Sequence, residues 1–187
     1  MDTQSLEGGF SNPALQSATA FRGVMEAMAR PATVHVLQDA QPPAPLSVAA
    51  GVVLLTLCDT DTPIYLAGDV DCCAVRDWIT FHTGAPICAA SDCAYAFGTW
   101  EALMPLSVFP IGTSEYPDRS ATLVVEMPEL RLEGATLTGP GIQDEAHFAV
   151  PDVSAFQTNA AQFPLGLDFF FTCGDRLAAL PRSTEVR

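Results

Sequence analysis

The sequence contains no lysine. All eight basic residues are arginine, and 22 acidic residues outnumber them, so the net charge is −14. A chain without Lys has no Lys-based phosphate-binding loop and cannot form a Schiff base with pyridoxal phosphate. The acidic balance also opposes binding to the phosphate backbone of nucleic acids and to an anionic membrane surface. We therefore expect no cofactor, and neither nucleic acid nor membrane as a partner.

Cysteine pairs with the spacing of a metal site are also lacking. The sequence has no CxxC pair, and neither Cys72-Cys73 nor the Cys88 to Cys93 spacing matches a zinc ribbon. A closely spaced Cys triplet, which a radical iron–sulfur enzyme would need, is missing too. We therefore predict no metal site, and buried, unreactive thiols at all six positions, because free cysteine is among the most buried residue types. The six are Cys58, Cys72, Cys73, Cys88, Cys93 and Cys173.

Long apolar runs are absent as well. The longest, Val48 to Cys58, is too short to span a bilayer. The first ten residues, MDTQSLEGGF, show neither the basic nor the apolar region of a signal peptide. We therefore expect a cytoplasmic protein with reduced thiols. Hydrophobic residues make up 49% of the chain and charged residues only 16%, which predicts either a surface partly covered by a partner or a small domain with an apolar surface.

Periodicity predicts an α/β protein. Residues 1–11 have the composition of a loose arm, and Ser11 or Asn12 is placed to cap a helix that starts at Pro13 and ends at Arg30-Pro31. The apolar residues of this helix recur at helical spacing and predict one apolar face, formed by Leu15, Ala18, Phe21, Met25 and Met28. Helices and strands alternate in the first half and strands dominate the second, which favours one domain over residues 1–187 with layers packed around a mixed sheet.

Several other elements have clear signals. Leu46 to Cys58 is either a buried helix or a strand, with its length favouring the helix. Asp69 or Asp71 is placed to cap the next helix, and Asp152 a later one. After the last predicted strand, Leu177 to Leu180, a polar tail follows from Pro181.

The strongest candidate for a functional site is Gly112 to Met127. Its first half is rich in turn residues and carries four polar side chains, and its second half, Ala121 to Val125, is typical of a buried strand. A polar loop held by a core strand is a common layout for a functional site. Alternatively, the arginine pairs with an acid and merely fixes the loop. The four side chains are Glu115, Tyr116, Asp118 and Arg119.

Two further features have a functional and a structural interpretation. His82 falls on one helix face with Trp78 and Ile79, where it is either a proton carrier or a structural histidine with a satisfied hydrogen bond. Gly139-Pro140-Gly141 is either an anion-binding nest or a plain turn. We interpret His35 and His147 as structural.

Segments along nearly the whole chain resemble one known family. These segments are Gly9 to Pro13 with Phe21-Arg22, Met28 to Pro31, Phe81 to Pro86, Gly112 to Pro117, Leu137 to Ile142, and Phe163 to Asp168 with Leu180 to Thr184. No segment is diagnostic alone, but together, in this order, they are specific. On these segments the sequence is similar to the PhnH family, a component of the bacterial phosphonate carbon–phosphorus (C–P) lyase system.

The resemblance implies a fold like the large domain of pyridoxal-phosphate-dependent transferases, an α/β/α sandwich used here without the cofactor. It implies a complex with the G, I and J subunits of the system, in which the PhnH component packs on the I subunit, and a possible homodimer when it is isolated. It further implies that the PhnH component, together with the G, I and L subunits, takes part in attaching methylphosphonate to C1 of the ATP ribose with loss of adenine, which gives alpha-D-ribose 1-methylphosphonate 5-triphosphate. The J subunit later cleaves the carbon–phosphorus bond. The alternative is a purely structural scaffold.

The charge of the chain limits what it can do by itself. ATP and a phosphonate carry several negative charges, which need cations or helix N-termini around them. A chain at −14 with eight scattered Arg is poorly suited to bind them alone. We therefore do not expect activity from the isolated chain, and whether it is an enzyme stays open. If it contributes side chains to a site, the candidates are Arg119, Glu115 and Tyr116, followed by Arg30 and His82.

Overall fold

A computed structural model describes residues 7–187 of the chain. Four helices and nine strands are present in this part. The helices are α1 (Pro13–Ala29), α2 (Val48–Leu57), α3 (Cys73–His82) and α4 (Val153–Ala160). The strands are β1 (His35–Val36), β2 (Ile64–Leu66), β3 (Tyr95–Thr99), β4 (Thr122–Glu126), β5 (Ala135–Thr138), β6 (Ala146–Phe148), β7 (Asp168–Cys173), β8 (Arg176–Leu180) and β9 (Glu185–Val186).

Local sequence signals explain most helix boundaries. In α1, Pro13 occupies the first turn as predicted, although the Asn12 side chain makes no capping bond. In α2, the Ser47 hydroxyl accepts the Ala50 N–H at 3.2 Å, and the segment is a helix rather than a strand. In α4, the Asp152 carboxylate accepts the N–H of the second and third helical residues. The α2 and Asp152 predictions are therefore confirmed.

The larger sheet is mixed, as predicted. Its strand order is β1-β8-β7-β4-β3-β2. Strands β2, β3, β4 and β7 are parallel, whereas β8 pairs antiparallel with both β7 and β1. The second sheet has the order β6-β5-β9 and is antiparallel. The carboxyl ends of the four parallel strands meet at one edge of the larger sheet and their amino ends at the other.

Apolar cores cover both faces of the larger sheet. Successive residues of a strand point to opposite faces, and the phenylalanines of β7 follow this rule. Phe170 belongs to a core shared with α1, α2 and α3. Phe169 and Phe171 belong to a second core, shared with α4 and the three-stranded sheet. Helices therefore pack on one face, and a helix together with the small sheet packs on the other.

The predicted apolar face of α1 is not the face that packs inward. The buried residues of this helix are Ala20, Val24 and Ala27. Of the predicted face, Leu15, Phe21 and Met25 are 68%, 44% and 52% exposed. Small side chains let a helix backbone approach its neighbours closely, and α1 packs against α2, β1 and β8. The prediction of one apolar stripe therefore identified the helix but misplaced its core.

Three other predictions need correction. Neither Asp69 nor Asp71 caps α3; the cap residue is Cys72, and Asp71 instead forms an ion pair with Arg76. The tail after Pro181 is not merely polar, because β9 pairs with β5 and buries Val186. Of the predicted loose arm, residues 1–6 lie outside the described part, and Glu7 is packed through its carbonyl, which accepts the Trp78 Nε1–H at 2.9 Å.

Within residues 7–187, none of the helices has the length and apolar character needed to cross a membrane.

Candidate functional site

The polar first half of the Gly112 to Met127 segment lies at the amino edge of the larger sheet, directly before β4. We call this part, between Ile111 and Ser120, the candidate loop. An isolated bridge between Ile111 and Ser120 closes its two ends. Inside it, Thr113 and Tyr116 exchange backbone hydrogen bonds of 3.1 Å in both directions. Gly112 has a φ of +84°, and a Cβ there would lie 2.6 Å from the Pro117 carbonyl oxygen, so only glycine fits. The loop is thus held by its own turn chemistry, as the sequence predicts.

The polar side chains at the tip of this loop are exposed. Glu115, Tyr116, Asp118 and Arg119 all face solvent. The Arg119 guanidinium carbon lies 4.0 Å from the centroid of the Tyr116 ring, a cation–π contact. Within residues 7–187, no acid lies within salt-bridge distance of Arg119, so the predicted alternative of an acid pair is not what holds this arginine.

Arg182 fixes the base of the loop, and sequence reasoning missed it. Its Nε donates to both oxygens of Asp168 at 3.1 and 3.2 Å, and its Nη1 donates to the Pro117 carbonyl at 2.7 Å. Its Nη2 donates to Asp168 and to the Ser120 hydroxyl. The guanidinium therefore ties β7 and the segment after β8 to Pro117 and Ser120 at the end of the loop. A signal was available, because Arg182 and Asp168 each lie in a segment that carries the family resemblance.

The connection between α4 and β7 lies next to Arg182 and to the start of the candidate loop, and together they form one cluster. The buried Asn159 side chain donates to the Leu167 carbonyl at 2.9 Å and accepts the Leu167 N–H at 2.8 Å. Gly166 donates its N–H to the Ile111 carbonyl at 3.0 Å. A Cβ on Gly166 would lie 3.5 Å from the Arg182 Cβ. The start of the candidate loop, the end of α4 and Arg182 thus meet in one place.

A groove of about 510 Å³ adjoins this cluster. The segment from Met104 to Ile111 forms one side. The other side is formed by Ser154 and Thr158 of α4 and by Gln162 in the turn that follows the helix. No basic side chain lines the groove. It therefore offers hydrogen-bonding groups and apolar surface, but no positive charge for a phosphate.

The Gly139-Pro140-Gly141 segment is a turn packed against the end of α1. Ile142 donates its N–H to the Gly139 carbonyl at 3.1 Å. A Cβ on Gly141 would lie 2.0 Å from the Ala29 carbonyl oxygen, so glycine is required for this close approach. The turn interpretation explains the segment. Arg30 follows α1 as an exposed residue, and its Nε lies 3.3 Å from the Glu26 carboxylate.

His82 lies apart from the candidate loop. It is at the C-terminal end of α3, where its ring centroid is 5.0 Å from that of Trp78 and 4.9 Å from that of Phe81. Its Nε2 is 3.4 Å from the Glu7 carbonyl oxygen, and a Cβ on Gly9 would lie 2.4 Å from the ring. The ring packs the N-terminal segment onto α3, in line with the structural interpretation.

The thiols form no reactive centre. Burial raises the pKa of Cys58 and of Cys93 to about 12, which keeps both as neutral thiols at neutral pH. The prediction that all six cysteines are buried is correct for these two only, because Cys73 is exposed and the other three, Cys72, Cys88 and Cys173, are half-buried. Among residues 7–187, no three His, Cys, Asp or Glu side chains lie close enough together to hold a metal ion.

One partly buried carboxylate lies at the opposite, carboxyl edge of the sheet. Glu126, at the end of β4, accepts the Ser47 N–H at 2.8 Å and the Thr172 hydroxyl at 3.0 Å. Burial raises its pKa, and the two hydrogen bonds partly oppose that shift. Glu126 therefore joins the start of α2 to the sheet and does not face the candidate loop.

The chain is an α/β protein whose exposed polar loop is clamped at the amino edge of a mixed sheet. It belongs to the family described as bacterial phosphonate metabolism protein (PhnH), whose profile matches residues 8–187. The resemblance found in the sequence is thereby confirmed.

Two curated proteins illustrate this relationship. A protein of Rhizobium meliloti (strain 1021), named alpha-D-ribose 1-methylphosphonate 5-triphosphate synthase subunit PhnH, is 40% identical over 194 residues, which cover 98% of this chain and 96% of the relative. A protein of Stutzerimonas stutzeri, named "Putative C-P lyase subunit protein HtxG", is 31% identical over 180 residues, which cover 90% of this chain and 84% of the relative.

Proposed function

We propose that the chain is a subunit of the C–P lyase core complex of organic phosphonate catabolism. In this role it is needed, with the G, I and L subunits, to make alpha-D-ribose 1-methylphosphonate 5-triphosphate from ATP and methylphosphonate. The observation that carries the proposal is the family match over residues 8–187, together with the name of the 40% identical relative. Its partners in the complex would be the G, I and J subunits, and it would pack on the I subunit, in the cytoplasm where ATP is available.

The distribution of charge supports a role that depends on partners. Arg119 is the one arginine on the candidate loop, and Arg182 is already bonded to Asp168. The adjoining groove has no basic lining residue. ATP and methylphosphonate need several cationic groups around them, so the other subunits would supply these groups.

The mixed sheet covered on both faces and the family match over residues 8–187 support one domain over residues 1–187 and a fold like that of the pyridoxal-phosphate-dependent transferases.

Arg119 is the residue we propose for the contribution of this chain to the active site, with Glu115 and Tyr116 beside it. The Tyr116 ring holds the guanidinium at 4.0 Å and leaves its N–H groups available to an anion. Arg30 and His82, the two other candidates, occupy separate places and have structural neighbours of their own. We rank them below the loop.

Substitution of Arg119 tests this assignment. Arg119→Ala is expected to abolish growth on methylphosphonate as the phosphorus source, while the complex still assembles, because the residue is exposed and its truncation removes no core contact. Arg131→Ala is the matched control. Arg131 is also an exposed arginine in a connecting segment, 2.9 Å from Glu129, and its loss is expected to leave growth unchanged.

A purely structural scaffold is the second candidate function. The tight internal bonding of the loop and the Arg182 clamp favour it, since both fix the shape of a surface. In that case Arg119→Ala and Arg131→Ala would both grow normally on methylphosphonate, and Arg119 would have no place in the active site.

A further inference from the structure

The outer face of α1 carries an apolar seam that the core of residues 7–187 leaves exposed except at its last member, Met28, which is half-buried and packs partly against that core. We define this seam as Ala14, Ala18, Phe21, Met25 and Met28, whose spacing alternates between four and three residues. Alternating spacing of this kind is the pattern by which one helix packs along another. Residues 7–187 leave Phe21 and Met25 44% and 52% exposed.

The charges beside the seam distinguish it from the rest of the molecule. α1 and the residue that follows it contain two arginines, Arg22 and Arg30, and one acid, Glu26, in a chain with 8 arginines and 22 acids. The nearest acids along the chain, Glu7 and Asp39, lie outside the helix. Glu26 lies 3.3 Å from Arg30, and Arg22 follows Phe21 along the edge of the seam. An apolar face with Arg22 at its edge, on a strongly acidic protein, fits a partner surface that is apolar in its centre and acidic at its border.

A second copy of the chain fits this face less well. Two α1 helices packed through their seams would bring Arg22 next to α1 side chains, among which Glu26 is the one acid and already pairs with Arg30. The rest of each copy would bring a strong negative charge to the other. The charge pattern therefore favours a different protein as the occupant.

We propose that the seam of α1 is the docking site for an amphipathic helix of another protein of the C–P lyase complex, with an acidic side chain of that helix opposite Arg22. This inference rests on the proposed function. It assigns to α1 a contact that is separate from the candidate loop at the amino edge of the sheet.

Co-purification of variants tests the assignment. The tagged chain is co-expressed with the other subunits, and the amount of each that it retains is measured. Met25→Glu places a charge in the centre of the seam and is expected to lower retention about tenfold or more, whereas Leu132→Glu, at a residue 57% exposed elsewhere, is expected to retain them like the wild type. Arg22→Glu is expected to lower retention a few-fold, with the difference shrinking in high salt.

The outcomes separate this inference from the function on which it rests. If the wild type retains none of the other subunits, both fail. If the wild type and Met25→Glu retain them equally, the function stands and the seam is not the docking site. If Met25→Glu changes only the self-association of the isolated chain by light scattering, the occupant is a second copy and the inference fails. Hydroxyl-radical footprinting of the wild-type complex, with Met25 protected and Leu132 unchanged as the expected result, tests it without a variant.

Discussion

Arg182 is the residue on which the geometry of the candidate loop depends most. Its guanidinium reaches Asp168, the Pro117 carbonyl and the Ser120 hydroxyl at once. Both members of the ion pair are largely withdrawn from solvent, with side chains 13% and 21% exposed. A planar group with five N–H donors can hold such a fork of acceptors, and lysine cannot.

Loss of this arginine should unfold the base of the loop. Arg182→Ala is expected to lower the free energy of unfolding by about 2–4 kcal/mol, because it leaves the Asp168 carboxylate without its cation. Arg182→Lys should fall between the Ala variant and the wild type. Arg187→Ala is the control, because its pair with Glu185 is 67% and 65% exposed and such pairs contribute about 0–1 kcal/mol. Urea denaturation measures all four proteins, and equal stability of Arg182→Ala and the wild type would show that the clamp does not hold the loop.

Sequence reasoning could locate the loop residues but not the clamp. Turn chemistry is local, so Gly112 and Pro117 mark the loop in the sequence itself. Arg182 lies 62 positions from Ser120, and nothing in the spacing of the two residues indicates that the end of β8 and the loop meet. The partner of Arg119 was missed for the related reason that an aromatic ring and an acid are equally available to an exposed guanidinium.

At the scale of elements, Glu126 links the start of α2 to the sheet. It accepts a hydrogen bond from the backbone of Ser47 and another from the Thr172 hydroxyl. Burial raises its pKa above the usual value of 4.5. The folded state therefore binds this proton more tightly than the unfolded state does, and the stability gained from the protonated form is lost as the pH rises through the folded pKa.

A pH series of the Gln variant tests this link. Glu126→Gln keeps an acceptor for the Ser47 N–H but cannot ionise. As the pH rises from about 4 through the range just above the usual carboxyl pKa, the free energy of unfolding of the variant is expected to rise relative to that of the wild type, and to stay level above that range. Denaturant titrations at each pH measure the difference. A difference in the free energy of unfolding that is constant with pH would contradict the raised pKa. So would a difference in which the wild type gains stability relative to the variant as the pH rises.

Periodicity predicts elements better than it predicts which of their faces is buried. Pro13, Asp152 and the apolar run of α2 led to correct helices, because capping and length are local properties. The buried face of α1 was misplaced because Ala20 and Ala27 are weak apolar signals beside the larger side chains of the helix, although small residues suit the close contact with α2. β9 was missed because two residues after a polar turn carry no pattern, and its pairing with β5 is a long-range event.

At the scale of the whole molecule, the net charge and the family match both support the proposal that the chain acts only together with partner subunits. A net charge of −14 repels the polyanionic substrates of the proposed reaction, and the long-range field of the chain alone would slow their approach. The proposed roles of the exposed α1 seam, as a docking site, and of the single arginine of the candidate loop, as part of a shared active site, both require other chains. The same acidity predicts that opposite charges lie on the partners.

Turnover by a reconstituted complex tests the dependent role most directly. Formation of alpha-D-ribose 1-methylphosphonate 5-triphosphate from ATP and methylphosphonate is followed by phosphorus NMR in three mixtures: the complete set of subunits, the set without this chain, and this chain alone. We predict product in the first mixture and none in the other two. Product from the chain alone, or the same rate with and without it, would contradict the claim that it is a required subunit which acts only with its partners.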